Sequence, residues 1–245
     1  MKKIICIIAA AVVLLALIIC GVVHLVSVRN EKREQQIFQE AIAAYRAEKN
    51  KTYQQENARY DDYEVDVAFI GDSLTDGYNV AAHYPQFLVT NRGIGGDTTF
   101  DLEGRLQTAV YDLKPKVVVM LIGCNNLDTM FENYENILKG LQTNLPESRV
   151  VLLSLTSMGQ DWAKGNKTAA YNNVRIKMLA EQYGYAYVDL YSPLMDLSTG
   201  QIYPQYTTDG GHLTQEGYEV LTRQITPVLE ELLLKKEDTS CESYS

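Results

Sequence analysis

Val117-Val118-Val119-Met120-Leu121-Ile122 is a run of six apolar residues with no polar position to mark a wet face. A strand that is apolar on both sides belongs to a parallel sheet covered by helices above and below. Outward from it, further short apolar runs fall at residues 65–70, 87–91, 150–155 and 186–190. Segments long enough for crossover helices, at 98–113, 131–145 and 167–183, separate them. A last helix is expected from Thr214, a suitable N-cap, to about residue 234. Alternating strands and helices of this kind predict an α/β fold, a three-layer α/β/α sandwich around a five-stranded parallel sheet.

The flanks divide the chain further. Residues 4–28 form an almost unbroken apolar stretch behind Lys2 and Lys3, long enough to cross a bilayer as one helix. It is longer than the apolar region of a cleaved signal and is not followed by an A-x-A-like site ahead of a mature chain. Residues 1–30 are therefore expected to be an uncleaved single-pass transmembrane anchor, with the following domain on the extracytoplasmic side because long C-terminal domains translocate largely regardless of charge. Residues 31–62 are rich in Glu, Gln, Lys, Arg and Ala, with Ile37, Ala41, Ala44 and Tyr45 at helical spacing, and read as a helical stalk or linker. One domain is expected over 63–235, and a polar, disordered tail over 236–245. With 22 basic against 31 acidic residues and a net charge of -9, the chain is a poor partner for nucleic acid. Cysteines at 6, 20, 124 and 241 have no zinc-site spacing.

Open α/β sheets place their chemistry beyond the carboxyl ends of the strands, and three short segments sit there. Gly71-Asp72-Ser73-Leu74-Thr75-Asp76-Gly77 puts a serine just past a strand between two glycines; an ordinary glycine turn with Ser73 as a helix cap is an equal reading. Position 75 is Thr, so this is not the G-x-S-x-G elbow. Asn91-Arg92-Gly93-Ile94-Gly95-Gly96-Asp97 is a glycine-rich loop. It overlaps a dinucleotide fingerprint only in part, and the preferred reading is a backbone N–H, at Gly93, aimed at a substrate oxygen. Gly123-Cys124-Asn125-Asn126 offers Asn125 as a side-chain donor, or as a cap; Cys124, beside a buried strand, reads as a small inert apolar residue.

The fourth segment, Thr208-Asp209-Gly210-Gly211-His212-Leu213, decides the matter. Only His24, His83 and His212 are available in the chain, which argues against a multi-histidine metal site; no metal or other cofactor is expected. Asp209 and His212 stand three apart, so in a tight turn the carboxylate can hold Nδ1–H and leave Nε2 for a hydroxyl. The four blocks GDSLTDG, NRGIGGD, IGCNN and DGGHLT, in this order from Gly71 to Thr214, resemble the SGNH/GDSL hydrolase superfamily and, within it, the branch similar to platelet-activating-factor acetylhydrolase. The resemblance implies a flavodoxin-like sheet, a triad of Ser73, His212 and Asp209, and an oxyanion hole from the Ser73 N–H, the Gly93 N–H and the Asn125 side chain. Many members carry Asp where this chain has Asn126, a change that bears on local turn bonding.

The expected activity is a serine esterase acting on short acyl or O-acetyl groups of surface carbohydrate or lipid. An acyltransferase using the same triad, a catalytically silent binding domain and a nucleotide-binding protein are the alternatives. Asp161 and Trp162, in a loop that follows a strand and holds the chain's one tryptophan, are candidates to wall the acyl or alcohol pocket, with an ordinary core-sealing role an equal reading.

Overall fold

The computed structural model of the protein describes residues 2–234, with side chains from 20 to 233. The expected tail at 236–245 and most of the apolar segment at 4–28 therefore lie outside the described side chains. Among the described residues no helix is long and apolar enough to cross a membrane. The first helix, α1, runs over Lys2–Asn57. Two compact units divide the chain, residues 1–48 and 49–245, so the second unit begins ahead of residue 63 and takes in the last turns of α1.

The second unit contains β1 (Val67–Gly71), α2 (Ser73–Asp76), α3 (Val80–His83), β2 (Val89–Gly93), α4 (Thr99–Gly104), β3 (Val117–Leu121), α5 (Phe131–Asn144), β4 (Arg149–Leu153), α6 (Asn166–Tyr183), β5 (Ala186–Val188), α7 (Tyr191–Leu194), β6 (Met195–Asp196), β7 (Gln201–Ile202) and α8 (Gln215–Leu234). Strands β1 to β5 form one sheet in the order β2-β1-β3-β4-β5, every pair parallel, with Val67 opposite both Val89 and Val117. This is the flavodoxin-like order, whose switch point lies between β1 and β3.

The apolar run that predicted a two-faced strand serves both layers. Val118, Met120 and Ile122 pack with Leu102, Tyr134, Ile137 and Ile176, from α4, α5 and α6. Val117, Val119 and Leu121 pack with Leu194, Leu221, Ile225 and Leu229, from α7 and α8. Successive side chains of a strand point to opposite faces, so one uninterrupted apolar run is what two helical layers require.

Two elements depart from expectation. The helix expected over 98–113 is α-helical only to Gly104, and residues Gln107–Tyr111 form a π-helical turn. The break coincides with Arg105, whose guanidinium turns inward to the edge of the sheet. The short antiparallel pair β6 and β7 is too brief to leave a periodic signal.

Candidate active site

Ser73 opens α2 immediately beyond β1, at the switch point. Asp72 caps that turn: its Oδ1 accepts the Leu74 N–H at 3.0 Å. The turn is fixed from three sides. The Tyr218 hydroxyl of α8 donates to Leu74 O at 3.0 Å, the Asn91 amide donates to Thr75 O at 2.6 Å and Tyr78 O at 2.9 Å, and Asp76 accepts Gly95 N–H at 3.0 Å while pairing with Lys49 at 2.7 Å. A serine held this firmly has its position decided before any ligand arrives.

His212 arrives from the loop before α8. Thr207 and Leu213 form an antiparallel bridge across its base, and His212 O accepts from Thr208 N–H at 3.0 Å and the Thr207 hydroxyl at 2.7 Å. Asp209 Oδ1 accepts the N–H groups of Gly211 and His212 at 2.9 and 2.7 Å, while its Oδ2 lies 2.7 Å from His212 Nδ1. On the other side of the ring, His212 Nε2 is 3.1 Å from Ser73 Oγ. The backbone and ring N–H of His212 hold the Asp209 carboxyl down at about 2. Asp209 is thus a carboxylate at neutral pH, an acceptor for an N–H at Nδ1, and the other ring nitrogen, Nε2, faces Ser73 Oγ. Sequence spacing alone could permit this arrangement of side chains; the loop's bonds hold it.

Asn125, beyond β3, joins Ser73 and His212 in lining a cavity of about 30 Å³ together with Leu74, Cys124 and Trp162. Its amide donates to Asp97 O at 2.8 Å. Gly93 does not take the place expected of it. Its N–H donates to Asn91 Oδ1 at 2.8 Å, its carbonyl accepts the Tyr53 hydroxyl at 2.6 Å, and a Cβ there would lie 2.2 Å from Asp76 N. Position 93 is glycine because the nucleophile turn lies against it, which equally leaves no open backbone for a nucleotide phosphate. The part of this loop that meets Asn125 is Asp97, through its carbonyl; Gly96 before it is exposed, with φ 78° and open space where a Cβ would be.

Trp162 lines the cavity, whereas Asp161, exposed on the same turn, does not. Cys124 is partly buried, and burial raises the pKa of its thiol, which keeps it protonated and unreactive. Asn126 bonds Thr99, its Oδ1 accepting the N–H at 3.3 Å and its amide donating to the hydroxyl at 2.9 Å, so an amide here does the turn bonding. Among the described residues no group of three His, Cys, Asp or Glu side chains is placed to hold a metal ion.

Arg105 gave no signal in the sequence. It is buried, and its Nε donates to Asp97 Oδ2 at 2.6 Å, Nη1 to Arg92 O at 2.9 Å and Nη2 to Gly71 O at 3.1 Å. One guanidinium thereby ties the ends of β1 and β2 to the glycine loop. A lone arginine in an amphipathic segment looks like any solvated one until the fold turns it inward.

Asp72 has a second peculiarity. Its Oδ2 is buried with no hydrogen-bond partner, and burial, with Asp97 nearby, pushes the carboxyl up to about 7. Below about pH 4 the group is protonated in folded and unfolded chains alike. From there to about 7 only the unfolded chain ionises, so stability falls as pH rises, and the loss is complete above the folded value. Asp72→Asn keeps an oxygen for the Leu74 N–H and removes the titration. Relative to the parent it should gain stability between pH 4 and 8, by up to a few kcal/mol, in melting curves recorded across that range. A parent-minus-variant difference that is flat with pH would refute the assignment.

A model of the GDSL-like lipase/acylhydrolase family matches residues 69–220, the stretch from β1 into α8 that carries all four blocks. The chain belongs to this family. As a GDSL hydrolase of the SGNH superfamily it is an enzyme that hydrolyses esters. It is 29% identical over 185 residues to platelet-activating factor acetylhydrolase IB subunit alpha2 of Rattus norvegicus, covering 70% of this chain and 79% of that one. A GDSL-like lipase from Bacteroides thetaiotaomicron superposes with a TM-score of 0.67 at 27% identity, over 75% of this hydrolase and 98% of that chain. An acetylxylan esterase from Geobacillus stearothermophilus shares the fold, with a TM-score of 0.57 at 21% identity over 69% of this chain and 95% of its own.

Proposed function

We propose that this hydrolase cleaves short-chain carboxylic esters by a two-step acyl transfer, with Ser73 as nucleophile, His212 as general base and then acid, and Asp209 as the carboxylate that orients it. The observation that carries the reading is the unbroken contact from Asp209 Oδ2 to His212 Nδ1 at 2.7 Å and from His212 Nε2 to Ser73 Oγ at 3.1 Å. Ser73 Oγ attacks the ester carbonyl as its proton passes to Nε2. The tetrahedral oxyanion is held by the Asn125 amide and the Ser73 N–H, whose residues line the same cavity. Collapse breaks the bond to the alcohol oxygen, which leaves with the proton from Nε2. Water, deprotonated by His212, then attacks the acyl-serine and releases the acid.

The cavity beside Ser73 supports a short acyl group, since about 30 Å³ is roughly the room of one water. The names of two relatives, an acetylhydrolase and an acetylxylan esterase, agree with an acetyl ester, here on carbohydrate or lipid. The apolar segment at 4–28 would tether the enzyme to a membrane, with the hydrolase unit on the extracytoplasmic side. A fluorophosphonate probe tests the chemistry: the wild-type chain should be labelled, and p-nitrophenyl acetate turned over, with both lost in Ser73→Ala. Equal turnover in that variant would exclude the mechanism, and an unlabelled wild type would leave a silent binding domain.

A further inference from the structure

We infer that Trp162 is the partition that limits the acyl group to about two carbons, an inference that rests on the esterase reading above. Beside the cavity of about 30 Å³ lies an open groove of about 380 Å³, lined by Asn126, Leu127, Asp128, Thr129, Lys164 and Gly165. Four residues face both spaces: Cys124, Asn125, Met158 and Trp162. Asn125 is bonded to Asp97, Met158 is 3% exposed and Cys124 is a small, partly buried side chain. Trp162, 44% exposed, is the large side chain whose removal joins cavity and groove.

Its placement is held by the active-site loop itself. Trp162 N–H donates to Gly159 O at 3.0 Å, and Gly159 N–H donates to Gly210 O at 2.8 Å, within the loop that carries Asp209 and His212. The indole then lies against Gly211, where a Cβ would come within 3.1 Å of Nε1 and Cε2. Glycine beside the catalytic histidine is thus what allows a tryptophan to close the acyl end. A cavity that admits one methyl group penalises each added methylene steeply, by about tenfold or more.

Hydrolysis of p-nitrophenyl acetate, butyrate, hexanoate and octanoate by the full chain tests the partition. In the wild type kcat/KM should fall by about tenfold or more from acetate to butyrate. In Trp162→Ala the hexanoate-to-acetate ratio should rise by about tenfold or more, while Trp162→Phe, which restores an aromatic wall, should keep a ratio near the parent's. As the chain's sole tryptophan, Trp162 supplies a second readout. Covalent modification of Ser73 by a methylphosphonate probe should change its emission, and the same treatment of Ser73→Ala should not. An unchanged acyl-length ratio in Trp162→Ala, a uniform loss at every length, or unaltered emission on labelling overturns the partition alone. No Ser73-dependent turnover or labelling in the wild type overturns the esterase reading, and the partition with it.

Discussion

His212→Ala is expected to lower kcat by about 10⁴ or more on any ester the wild type accepts. Among the described residues the contact placed to take the Ser73 Oγ proton is His212 Nε2 at 3.1 Å, and the neighbouring Cys124 thiol is held protonated, its pKa raised by burial. The loss should come without unfolding, because the imidazole is half exposed and its loop is carried by backbone bonds at Thr207, Thr208 and Asp209. A melting temperature within a few degrees of the parent's is expected. The double variant Ser73→Ala/His212→Ala should be little worse than either single one, since nucleophile and base act as a unit. If the two losses multiplied, His212 would have to act elsewhere.

The second large effect is on stability. Arg105→Ala leaves the wholly buried Asp97 without the guanidinium that faces its Oδ2, and removing one member of a buried ion pair costs about 3–5 kcal/mol. Arg92 O and Gly71 O each lose the guanidinium donor in the same step, although Gly71 O keeps the Ile94 N–H, so the ends of β1 and β2 loosen where they support Ser73. For a chain of this size the melting temperature should fall by roughly 6–20 °C, with kcat falling before unfolding sets in. Arg105→Lys keeps a charge but cannot reach three acceptors with one planar group, and should fall between the two. Asp97→Asn/Arg105→Met removes both charges and should recover much of the loss. Equal melting temperatures for Arg105→Ala and the parent would show that the pair carries no weight.

These expectations also mark what could be read from residues alone. The two-faced run at 117–122 determines the layers because a strand's alternation is a local property. The order of the four blocks singles out Ser73, Asn125, Asp209 and His212 as candidates, since each follows or precedes a predictable element. What escaped the sequence depends on directions that only tertiary contact sets. Gly93 was expected to present its N–H to a substrate, yet Asn91, two residues earlier, folds back to take it. Arg105 turns inward because Asp97 and two strand-end carbonyls lie there together. Trp162 was legible as a wall, but which space it walls depends on Gly211, far along the chain and adjacent only in the fold.

The closing turns of α1 carry a practical consequence for anyone preparing a soluble fragment. Arg92, 1% exposed at its side chain, is neutralised by Glu56 and bonded by Asn57, and Tyr53 stacks its ring under the same guanidinium at 4.8 Å. A cut at residue 63, where the sequence suggests a boundary, would strip an interior cation of its counterion and open the back wall of the glycine loop. The cleavage or cloning junction belongs upstream of Lys49, so that the piece regarded as a tether is retained as masonry.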